Sequence, residues 1–360
     1  MKHVLHIVNK WAKGGVERYV EGLVEATSAY PVRHGILSMC TPVNTSVAVD
    51  AYGPLSNGDG ISALLGASIR LKSFLMEHRF DIVHVHASNA SCYLYANIAE
   101  RCGVPVRIVH SHSSAMTFEK SLVKRTLNNI LFGLYSGHET MRIGCSTEAA
   151  RALFKTKDSL IIPNGIDIER FTYSQADRDL LRRKLGIAND CFVVLCVGSL
   201  LEVKNHVRAI SIFEKLQSDM DCSRLVLVGD GPLRPSLEAE VERRGLSDSV
   251  IFAGFIEDVS QWYSLADVLL FPSLYEGFPI TLVEAQANGL PVACSDSITR
   301  EVGLLKNCRY ISLDQDDAAW ATLLASSSRI SPADAALGIK SGGLDRDSSI
   351  SKIERAYGIL

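Results

Sequence analysis

Short apolar runs alternate with longer amphipathic segments along the first half of the chain. Apolar runs of about four to eight residues are typical of buried parallel strands, whereas an apolar period near 3.6 residues predicts a helix. The pattern predicts strands at His3–Val8, Val32–Met39, Asp81–His86, Val106–His110 and Met141–Cys145, and helices at Gly15–Ala29, Ile61–Arg79, Asn89–Cys102 and Leu122–Tyr135. The segment Thr41–Gly60 is polar and rich in Gly, Pro, Asn and Ser, so we predict a loop there.

The second half repeats this alternation. It predicts strands at Phe192–Gly198, Arg224–Val228, Val250–Gly254 and Asp267–Pro272, and helices at His206–Gln217, Pro235–Arg244 and Val259–Ala266. Alternation throughout predicts an α/β protein with parallel sheets. We place a hinge near residues 164–175, which separates an N-terminal domain (1–165) from a C-terminal domain (166–340). The tail, 341–360, contains a predicted helix at Ile350–Tyr357 that could pack back on the N-terminal domain.

Composition narrows the classes of protein to which the chain can belong. Its 360 residues suit two domains, and 47% apolar with 21% charged residues is ordinary for a globular protein. The formal net charge of −3 excludes a generally basic nucleic-acid binder. Nine cysteines without Cys-x-x-Cys spacing predict reduced thiols in a cytoplasmic protein. No apolar run reaches the roughly 20 residues that span a bilayer, so we expect a soluble protein.

The most informative segment runs from Tyr275 to Ala285 and reads YEGFPITLVEA. It follows an apolar strand, turns at glycine and proline, and continues as a helix that we expect to end at Asn288-Gly289. The start of that helix offers backbone N–H groups to an anion, namely those of Gly277, Phe278, Ile280 and Thr281. Glu276 lies just before this anion site, and Glu284 lies about two turns into the helix. Amides for phosphates and carboxylates for hydroxyls together indicate a nucleotide-sugar site.

The segment EGFPITLVEA resembles the E-x7-E motif of the retaining GT-B glycosyltransferases, family 4 in particular. Other pieces of the chain match that family in order: GGVER, HSHS, PNGID, GSLLEVKNH and GDGPL. The resemblance implies two Rossmann-like, doubly wound parallel-sheet domains facing a central cleft. It also implies transfer from a nucleoside-diphosphate sugar with retention of configuration, without a metal ion or other cofactor. In such proteins Glu284 would contact the ribose and Glu276 the sugar hydroxyls.

Lys204 is the clearest cation for a diphosphate. The family carries an arginine one residue after the glycine that ends the preceding strand, and a lysine five residues further on. Lys204 matches the lysine, but Ser199 stands at the arginine position. Removing one such donor can cost about 3–4 kcal/mol of transition-state stabilisation. Lys13, Arg18 or Arg208 could substitute, Ser199 with backbone amides could suffice, or activity could be impaired.

The N-terminal domain offers a glycine turn and a group of histidines. Gly14 and Gly15 open the first helix, and the resemblance places this turn against the donor phosphates or the acceptor. His84, His86, His110 and His112 lie at the carboxyl ends of predicted strands; His112 best matches the family histidine near the transferred sugar, with His110 as the alternative. H-x-H spacing can also mark zinc, but carboxylate or cysteine partners are missing at ligand spacing, so we predict no metal site.

Three further residues complete the predicted donor site. Gly229, in GDGPL, would border the nucleotide, and Phe255 with Ile256 would contact the edge of the base in the family pattern. A tight turn and a core aromatic are the simpler interpretations of these positions.

A basic, amphipathic stretch in the N-terminal domain could meet a membrane. It contains Lys120, Lys124 and Arg125 together with Leu122, Leu127, Ile130, Leu131 and Leu134. Such a helix could lie on anionic lipid at the inner membrane surface, or could simply pack on its own sheet.

The sequence therefore predicts a retaining, metal-independent hexosyltransferase. It would move a sugar from a nucleoside-diphosphate sugar, UDP-sugar first among them, to a glycan or lipid-linked acceptor, as in capsular or exopolysaccharide synthesis. Two alternatives remain: a nucleotide-sugar epimerase of the same fold, and a non-catalytic nucleotide-sugar binder, which the serine at position 199 favours.

Overall fold

The computed structural model divides the chain into two compact units. The first comprises Met1–Asn164 and Asp347–Leu360, and the second comprises Gly165–Arg346. The second unit thus ends at Arg346 rather than at the predicted residue 340. The structure describes residues 1–11, 14–56, 61–87, 89–113, 122–155 and 158–359, without the side chains of Ile61 and Lys124.

A seven-stranded parallel sheet forms the centre of the first unit. Its spatial order is β3-β2-β1-β4-β5-β6-β7, so the strand order reverses between β1 and β4. The strands are β1 (Lys2–Val8), β2 (Val32–Ser38), β3 (Asp50–Tyr52), β4 (Ile82–Ala87), β5 (Val106–Ser111), β6 (Met141–Gly144) and β7 (Leu160–Ile161). Apolar side chains alternate between the two faces of β1, where Leu5 and Ile7 join one core cluster and Val4 and Val8 join the other. The sheet is therefore covered on both faces, as is usual for parallel sheets.

Five helices accompany these strands; the sequence predicted the first four, with small shifts at their ends, and did not predict the fifth. They are α1 (Gly15–Thr27), α2 (Ile61–Glu77), α3 (Ser91–Arg101), α4 (Leu122–Tyr135) and α5 (Thr147–Phe154). Ser146 caps α5 by accepting a hydrogen bond from the Ala149 N–H group. The prediction of a loop over Thr41–Gly60 is wrong at Asp50–Tyr52, where β3 pairs with β2 at the edge of the sheet. This strand is short and bears no apolar run, because an edge strand buries little.

The second unit has its own six-stranded parallel sheet, ordered β10-β9-β8-β11-β12-β13. Its strands are β8 (Phe192–Val197), β9 (Ser223–Val228), β10 (Val250–Gly254), β11 (Val268–Phe271), β12 (Val292–Ser295) and β13 (Cys308–Ile311). Its helices are α6 (Ile168–Phe171), α7 (Gln175–Leu185), α8 (His206–Asp219), α9 (Arg234–Arg243), α10 (Ser260–Leu265), α11 (Ile280–Ala287), α12 (Asp317–Ala325) and α13 (Pro332–Ser341). The order again reverses once, between β8 and β11.

The last helix, α14 (Arg346–Tyr357), belongs almost entirely to the first unit. Its residues Ile353 and Tyr357 enter the core cluster that contains Val4. Lys2 Nζ donates hydrogen bonds to the carbonyl oxygens of Tyr357 (2.5 Å) and Gly358 (2.7 Å), which ties the helix end to the first strand. The helix begins at Arg346 and not at the predicted Ile350. Its first turn is polar, so the apolar pattern did not reveal it.

One cysteine prediction is wrong. Cys191 and Cys222 are joined by a disulfide between the residues preceding β8 and β9, with Cα atoms 4.8 Å apart. The two positions lie 31 residues apart in sequence, so their pairing depends on the sheet order and could not be derived from spacing alone. The other seven cysteines are not joined in disulfides.

Among the described helices, none combines the length and the apolar content needed to cross a membrane.

Candidate functional site

The carboxyl ends of β8, β9 and β10 carry glycines in backbone conformations that other residues rarely adopt. Gly198, Gly229 and Gly254 have φ values of +154°, +142° and +75°. A Cβ atom on Gly229 would lie 2.0 Å from the Gly198 carbonyl oxygen, so the two strand ends touch backbone to backbone. In open α/β sheets ligands bind at this edge, where the strand order reverses. Because glycine has no side chain, a ligand can come close to the backbone there.

Lys204 lies at this reversal. It ends a short 3-10 helix, Glu202–Lys204, after β8. Its side chain passes over Gly198, where an added Cβ atom would lie 3.2 Å from Lys204 Cε. Its Nζ lies 2.5 Å from Glu276 Oε1 and 4.9 Å from the centre of the Phe271 ring. Since Phe271 ends β11, the lysine spans the two strands at which the order reverses.

The Lys204–Glu276 pair is partly shielded from solvent, with 19% and 18% of the two side chains exposed. Sequence reasoning placed both residues in one site without predicting that they form an ion pair. In this arrangement each charge neutralises the other. An anion that binds Lys204 would therefore compete with Glu276 for the lysine charge.

The segment after Glu276 forms the predicted turn and helix. Pro279 is the residue immediately before α11, and the Leu282 N–H group makes the first backbone hydrogen bond of the helix, to Pro279 O at 3.0 Å. The N–H groups of Ile280 and Thr281 thus precede the internal hydrogen bonding of the helix. Gly289 follows the helix in the left-handed conformation (φ +74°), as the sequence predicted for its end.

Glu284 is buried in this helix, with 4% of the residue exposed. The Tyr263 hydroxyl, on α10, donates a hydrogen bond of 2.5 Å to Glu284 Oε2. A buried carboxylate requires such partners. Because α11 begins at Ile280, Glu284 lies little more than one turn inside the helix, not two. Tyr263 was missed by sequence reasoning, which treated Val259–Ala266 only as a helix.

The remaining predicted donor residues occupy the same edge of the second sheet. Gly229 follows β9, and Ser199 and Phe255 are exposed after β8 and β10, with Ile256 beside Phe255 half-buried. Arg208 is not placed there as a spare cation, because its Nε lies 3.0 Å from Asp317 Oδ1. Arg18 is exposed on α1 of the first unit, and Lys13 lies outside the described residues.

The predicted glycine turn of the first unit caps its own helix. The Gly14 N–H group donates to Glu17 Oε2 at 3.1 Å, and Glu17 is 9% exposed. This capping box occupies a backbone donor that a phosphate would otherwise use. Gly15 is exposed, and an added Cβ atom would meet no other atom within 4 Å. Gly15 therefore offers open surface, whereas Gly14 is engaged.

Six histidines gather on the strands of the first sheet. They are His6 on β1, His34 on β2, His84 and His86 on β4, His110 on β5, and His112 just after β5. Burial is the main cause that lowers the pKa of each: to about 4 for His34, to about 3 for His112, and well below 6.5 for His6, His84, His86 and His110. All six rings are therefore neutral at pH 7.

Three buried polar atoms at or beside this histidine group have no hydrogen-bond partner in the described part of the chain. These are the Tyr19 hydroxyl, His110 Nε2 and His112 Nδ1. The Tyr19 ring lies 5.2 Å from the ring of His110 and 5.2 Å from that of His112, and the two histidine rings are 4.0 Å apart. Buried polar atoms normally find partners, so three of them together mark a place where a polar ligand could bind.

His6, His34 and Tyr19 were missed by sequence reasoning. The sequence did contain a signal for the two histidines. His6 and His34 each lie within a predicted strand, as do members of the H-x-H pairs. In the observed order β2-β1-β4-β5, His6 stands opposite His84, and His86 stands opposite His110. Only the order of the strands makes these side chains neighbours.

Two groups of three histidines have the spacing of metal ligands. The nitrogens of His6, His84 and His86, and those of His86, His110 and His112, lie within 4.8 Å of one another. Several of these nitrogens already share protons, as between His86 Nδ1 and His112 Nε2 at 2.9 Å. A metal ion in either group would have to displace such shared protons.

Comparison with known proteins identifies the fold and the family. The fold of a crystal structure of Anabaena Alr3699/HepE in complex with UDP and glucose matches that of this protein with a TM-score of 0.81 at 18% identity, covering 100% of both chains. WaaG, a glycosyltransferase involved in lipopolysaccharide biosynthesis, matches with a TM-score of 0.72 at 20% identity, over 99% of this chain and 94% of that one. At such identities the likeness establishes the fold.

Sequence relatives are more specific. Residues 177–323 match the family described as glycosyl transferases group 1, and residues 13–170 match glycosyltransferase family 4. The protein named glycosyltransferase EpsF of Bacillus subtilis is 32% identical over 339 residues, covering 90% of this chain and 87% of that protein. An Escherichia coli UDP-Gal:alpha-D-GlcNAc-diphosphoundecaprenol alpha-1,3-galactosyltransferase is 30% identical over 63% of this chain and 61% of its own length. The chain belongs to glycosyltransferase family 4 and has the GT-B architecture of two Rossmann-like domains.

Proposed function

We propose that this glycosyltransferase transfers a sugar from a UDP-sugar, with retention of configuration, to a glycan or lipid-linked saccharide in surface polysaccharide biosynthesis. The observation that carries the proposal is the Lys204–Glu276 pair, which lies where the strand order of the second sheet reverses and just before the start of α11. A cation, a helix start and a carboxylate at this position suit a diphosphate joined to a sugar. The E. coli relative is named for a UDP-Gal donor and a diphosphoundecaprenol acceptor.

Each donor residue has a proposed partner on the nucleotide sugar. Lys204 and the backbone N–H groups of Gly277, Phe278, Ile280 and Thr281 would bind the diphosphate, with Ser199 and Gly229 beside it. Glu284, fixed by the Tyr263 hydroxyl, would accept hydrogen bonds from the ribose. Glu276 would bind hydroxyls of the transferred sugar, and Phe255 with Ile256 would contact the base.

The proposed reaction needs little more from the protein than position and charge. The bond between the sugar C1 and the β-phosphate oxygen breaks, and C1 bonds to the acceptor oxygen on the same face. The acceptor hydroxyl loses its proton to the departing diphosphate, while Lys204 stabilises the charge that develops there. Gly15 and His112 of the first unit would position the acceptor and the transferred sugar. No metal ion has a step in this scheme.

Thermal unfolding with a nucleotide panel tests the donor site. We expect UDP, but not GDP, ADP or CMP, to raise the unfolding midpoint without added metal, by about 5–10 °C at 100 times the Kd. Lys204→Met should lose most of this shift, because a diphosphate charge would lose its cation. Lys215→Met is the matched control, since Lys215 is exposed and pairs only loosely with Asp219 at 3.8 Å. A midpoint that no nucleoside diphosphate moves would contradict the donor site.

Product analysis separates the proposal from its two alternatives. A transferase releases UDP only when an acceptor is present, apart from slow hydrolysis. An epimerase converts the donor without any acceptor, and a non-catalytic binder gives the thermal shift with neither transfer nor hydrolysis. Restoring the family arginine with Ser199→Arg is informative as well: if the serine limits the rate, kcat should rise, and the thermal shift with UDP should not become smaller.

The membrane contact is the second half of the proposal. On α4, Leu131 is buried against the first core, whereas Leu122, Val123, Ile130 and Leu134 are 50–72% exposed. Arg125 is exposed on the same helix, and Lys120 with the Lys124 side chain lies outside the described residues. An exposed apolar face with a basic rim is typical of a helix that lies on anionic lipid. We place the protein at the cytoplasmic face of the membrane.

Vesicle sedimentation tests this contact. The wild type should bind vesicles rich in phosphatidylglycerol and dissociate from them at high salt. It should not bind vesicles of phosphatidylcholine. The double variant Ile130→Ser, Leu134→Ser should bind at least tenfold more weakly. Leu337→Ser, which removes an exposed leucine from the second unit, is the control. Equal binding of all three proteins would contradict the contact.

A further inference from the structure

Five side chains of the first unit form one continuous row of hydrogen bonds, here called the Thr27–His112 row. Thr27 Oγ1 lies 2.8 Å from His34 Nε2, and His34 Nδ1 lies 3.0 Å from His6 Nε2. His6 Nδ1 lies 3.0 Å from His86 Nε2, and His86 Nδ1 lies 2.9 Å from His112 Nε2. The row thus runs from the last residue of α1, through β2, β1 and β4, to the predicted site residue His112.

The direction of the first hydrogen bond is fixed by a backbone carbonyl. The Thr27 hydroxyl has a single proton, and its oxygen lies 2.6 Å from the carbonyl oxygen of Leu23, which can only accept. The proton must therefore point at Leu23. It follows that Thr27 Oγ1 is the acceptor toward His34, and that His34 carries its proton on Nε2.

This direction then passes along the whole row. A neutral imidazole has one N–H group and one lone pair, and burial keeps these rings neutral. With its proton on Nε2, His34 accepts at Nδ1, so His6 must donate from Nε2. By the same rule His86 donates to His6, and His112 donates to His86. Nδ1 of His112 is consequently left with a lone pair.

That nitrogen is positioned to meet a ligand. Part of the His112 residue is accessible, but its Nδ1 is buried and has no hydrogen-bond partner among the described residues. A buried lone pair is an acceptor that a hydroxyl group can satisfy, whereas a buried N–H group in its place would repel the hydroxyl proton.

We propose that Thr27 is a positioning residue that fixes the tautomer of His112 through the row, so that His112 Nδ1 accepts a hydrogen bond from a substrate hydroxyl. The part concerning the substrate rests on the proposed function; the tautomer assignment does not. The second row of the same unit, Tyr357–His84–His110, shares no hydrogen bond with the Thr27–His112 row among the described residues and provides an internal reference.

Nitrogen NMR on the full-length protein with 15N-labelled histidine tests the assignment directly. Two-bond proton–nitrogen spectra distinguish the two neutral tautomers, and single histidine substitutions assign the signals. In the wild type at pH 7.5 we expect the Nε2–H tautomer at His34, His6, His86 and His112. A proton on Nδ1 of His112 in the wild type overturns the proposal, and this measurement needs no variant of Thr27.

Two variants at the start of the row test cause and effect. Thr27→Val keeps the shape but removes the acceptor, so that the buried His34 N–H would face a methyl group and the row should reverse to Nδ1–H tautomers. Thr27→Ser keeps the hydroxyl and should keep the wild-type spectrum. His84 and His110 should keep their tautomers in both variants. An unchanged His112 spectrum in folded Thr27→Val would also overturn the proposal.

Kinetics test the functional half. In Thr27→Val we expect kcat/KM for transfer to fall by about 10- to 100-fold, the effect of one mismatched hydrogen bond to a reacting substrate, while the UDP thermal shift is unchanged. Thr27→Ser should recover most of the rate. Full activity in a Thr27→Val protein with a reversed row would refute the role of Nδ1. A wild type that shows the expected tautomers but no transfer with any donor would instead refute the proposed function.

Discussion

Lowering the pH from 7 to 5 should destabilise the first unit selectively, because its histidines are held neutral. Each of the six buried rings has a native pKa below 6.5, with burial as the main cause. In the unfolded chain the same rings take up protons near pH 6.5. Below that pH the unfolded state binds more protons than the native state, so the free energy of unfolding falls as the pH falls.

The magnitude follows from the size of the shifts. A histidine with a native pKa of about 4, such as His34, costs about 2 kcal/mol of stability at pH 5 relative to pH 7.5. His112, with a pKa of about 3, contributes a similar cost, so these two rings together remove about 4 kcal/mol, a large part of the roughly 5–15 kcal/mol that stabilises a domain, and burial lowers the pKa of the other four rings as well. The native state is therefore expected to open, or to admit protons, before all six penalties are reached. Carboxylates contribute little, since pH 5 lies above their ordinary pKa values.

Hydrogen exchange followed by mass spectrometry measures how the stability of each unit changes with pH in the same molecule. After correction for the intrinsic pH dependence of exchange, β1, β4 and β5 should lose protection steeply between pH 6.5 and pH 5. The strands β8, β9 and β11 are the internal reference, because the second unit has a single such ring, His206, whose pKa burial lowers to about 4. Equal loss of protection in both units, or none in the first, would refute the reasoning.

Two substitutions test the frame of the second unit by urea unfolding. Asp267→Asn removes the charge that pairs with Arg182, a residue only 1% exposed, at 2.8 Å, and should cost about 3–5 kcal/mol because the guanidinium remains buried without its partner. Gly229→Ala forces a Cβ atom to within 2.0 Å of the Gly198 carbonyl oxygen and should both destabilise the unit and weaken UDP binding. Gly245→Ala, which has positive φ but no atom within 4 Å, should cost only about 1–2 kcal/mol and leave UDP binding intact.

The sequence was sufficient to predict helices and turns whose pattern lies within one short segment of the chain. The helix Leu122–Tyr135 has the predicted ends, and the turn before Ile280 lies where Pro279 indicated it. Local pattern was not sufficient for β12 and β13, which were not predicted. Their sequences, VACS and CRYI, mix apolar residues with small or polar ones, so neither strand forms an apolar run. Helix α13 was also missed, because its surroundings are rich in Gly, Ser and Asp.

In the candidate site, too, residues within short motifs could be predicted, whereas contacts that depend on strand order could not. Glu276, Glu284 and Lys204 could be found one by one from motifs, because each motif is short. The Lys204–Glu276 ion pair could not be found, because it joins residues 72 positions apart through the order of β8 and β11. The histidine group required the order of four strands. Contacts of this kind depend on topology, and topology is what a single sequence specifies least directly.

The path of the polypeptide has a consequence for synthesis on the ribosome. The second unit, Gly165–Arg346, is an insertion into the first, whose final helix α14 supplies Ile353 and Tyr357 to its core. Domains tend to fold as they emerge. Here the second unit can complete its core while the first still lacks a helix. Helix α1 can already cover part of this cluster, but until α14 leaves the exit tunnel the places of Ile353 and Tyr357 stay empty, and the nascent first unit exposes part of its core to chaperones and proteases.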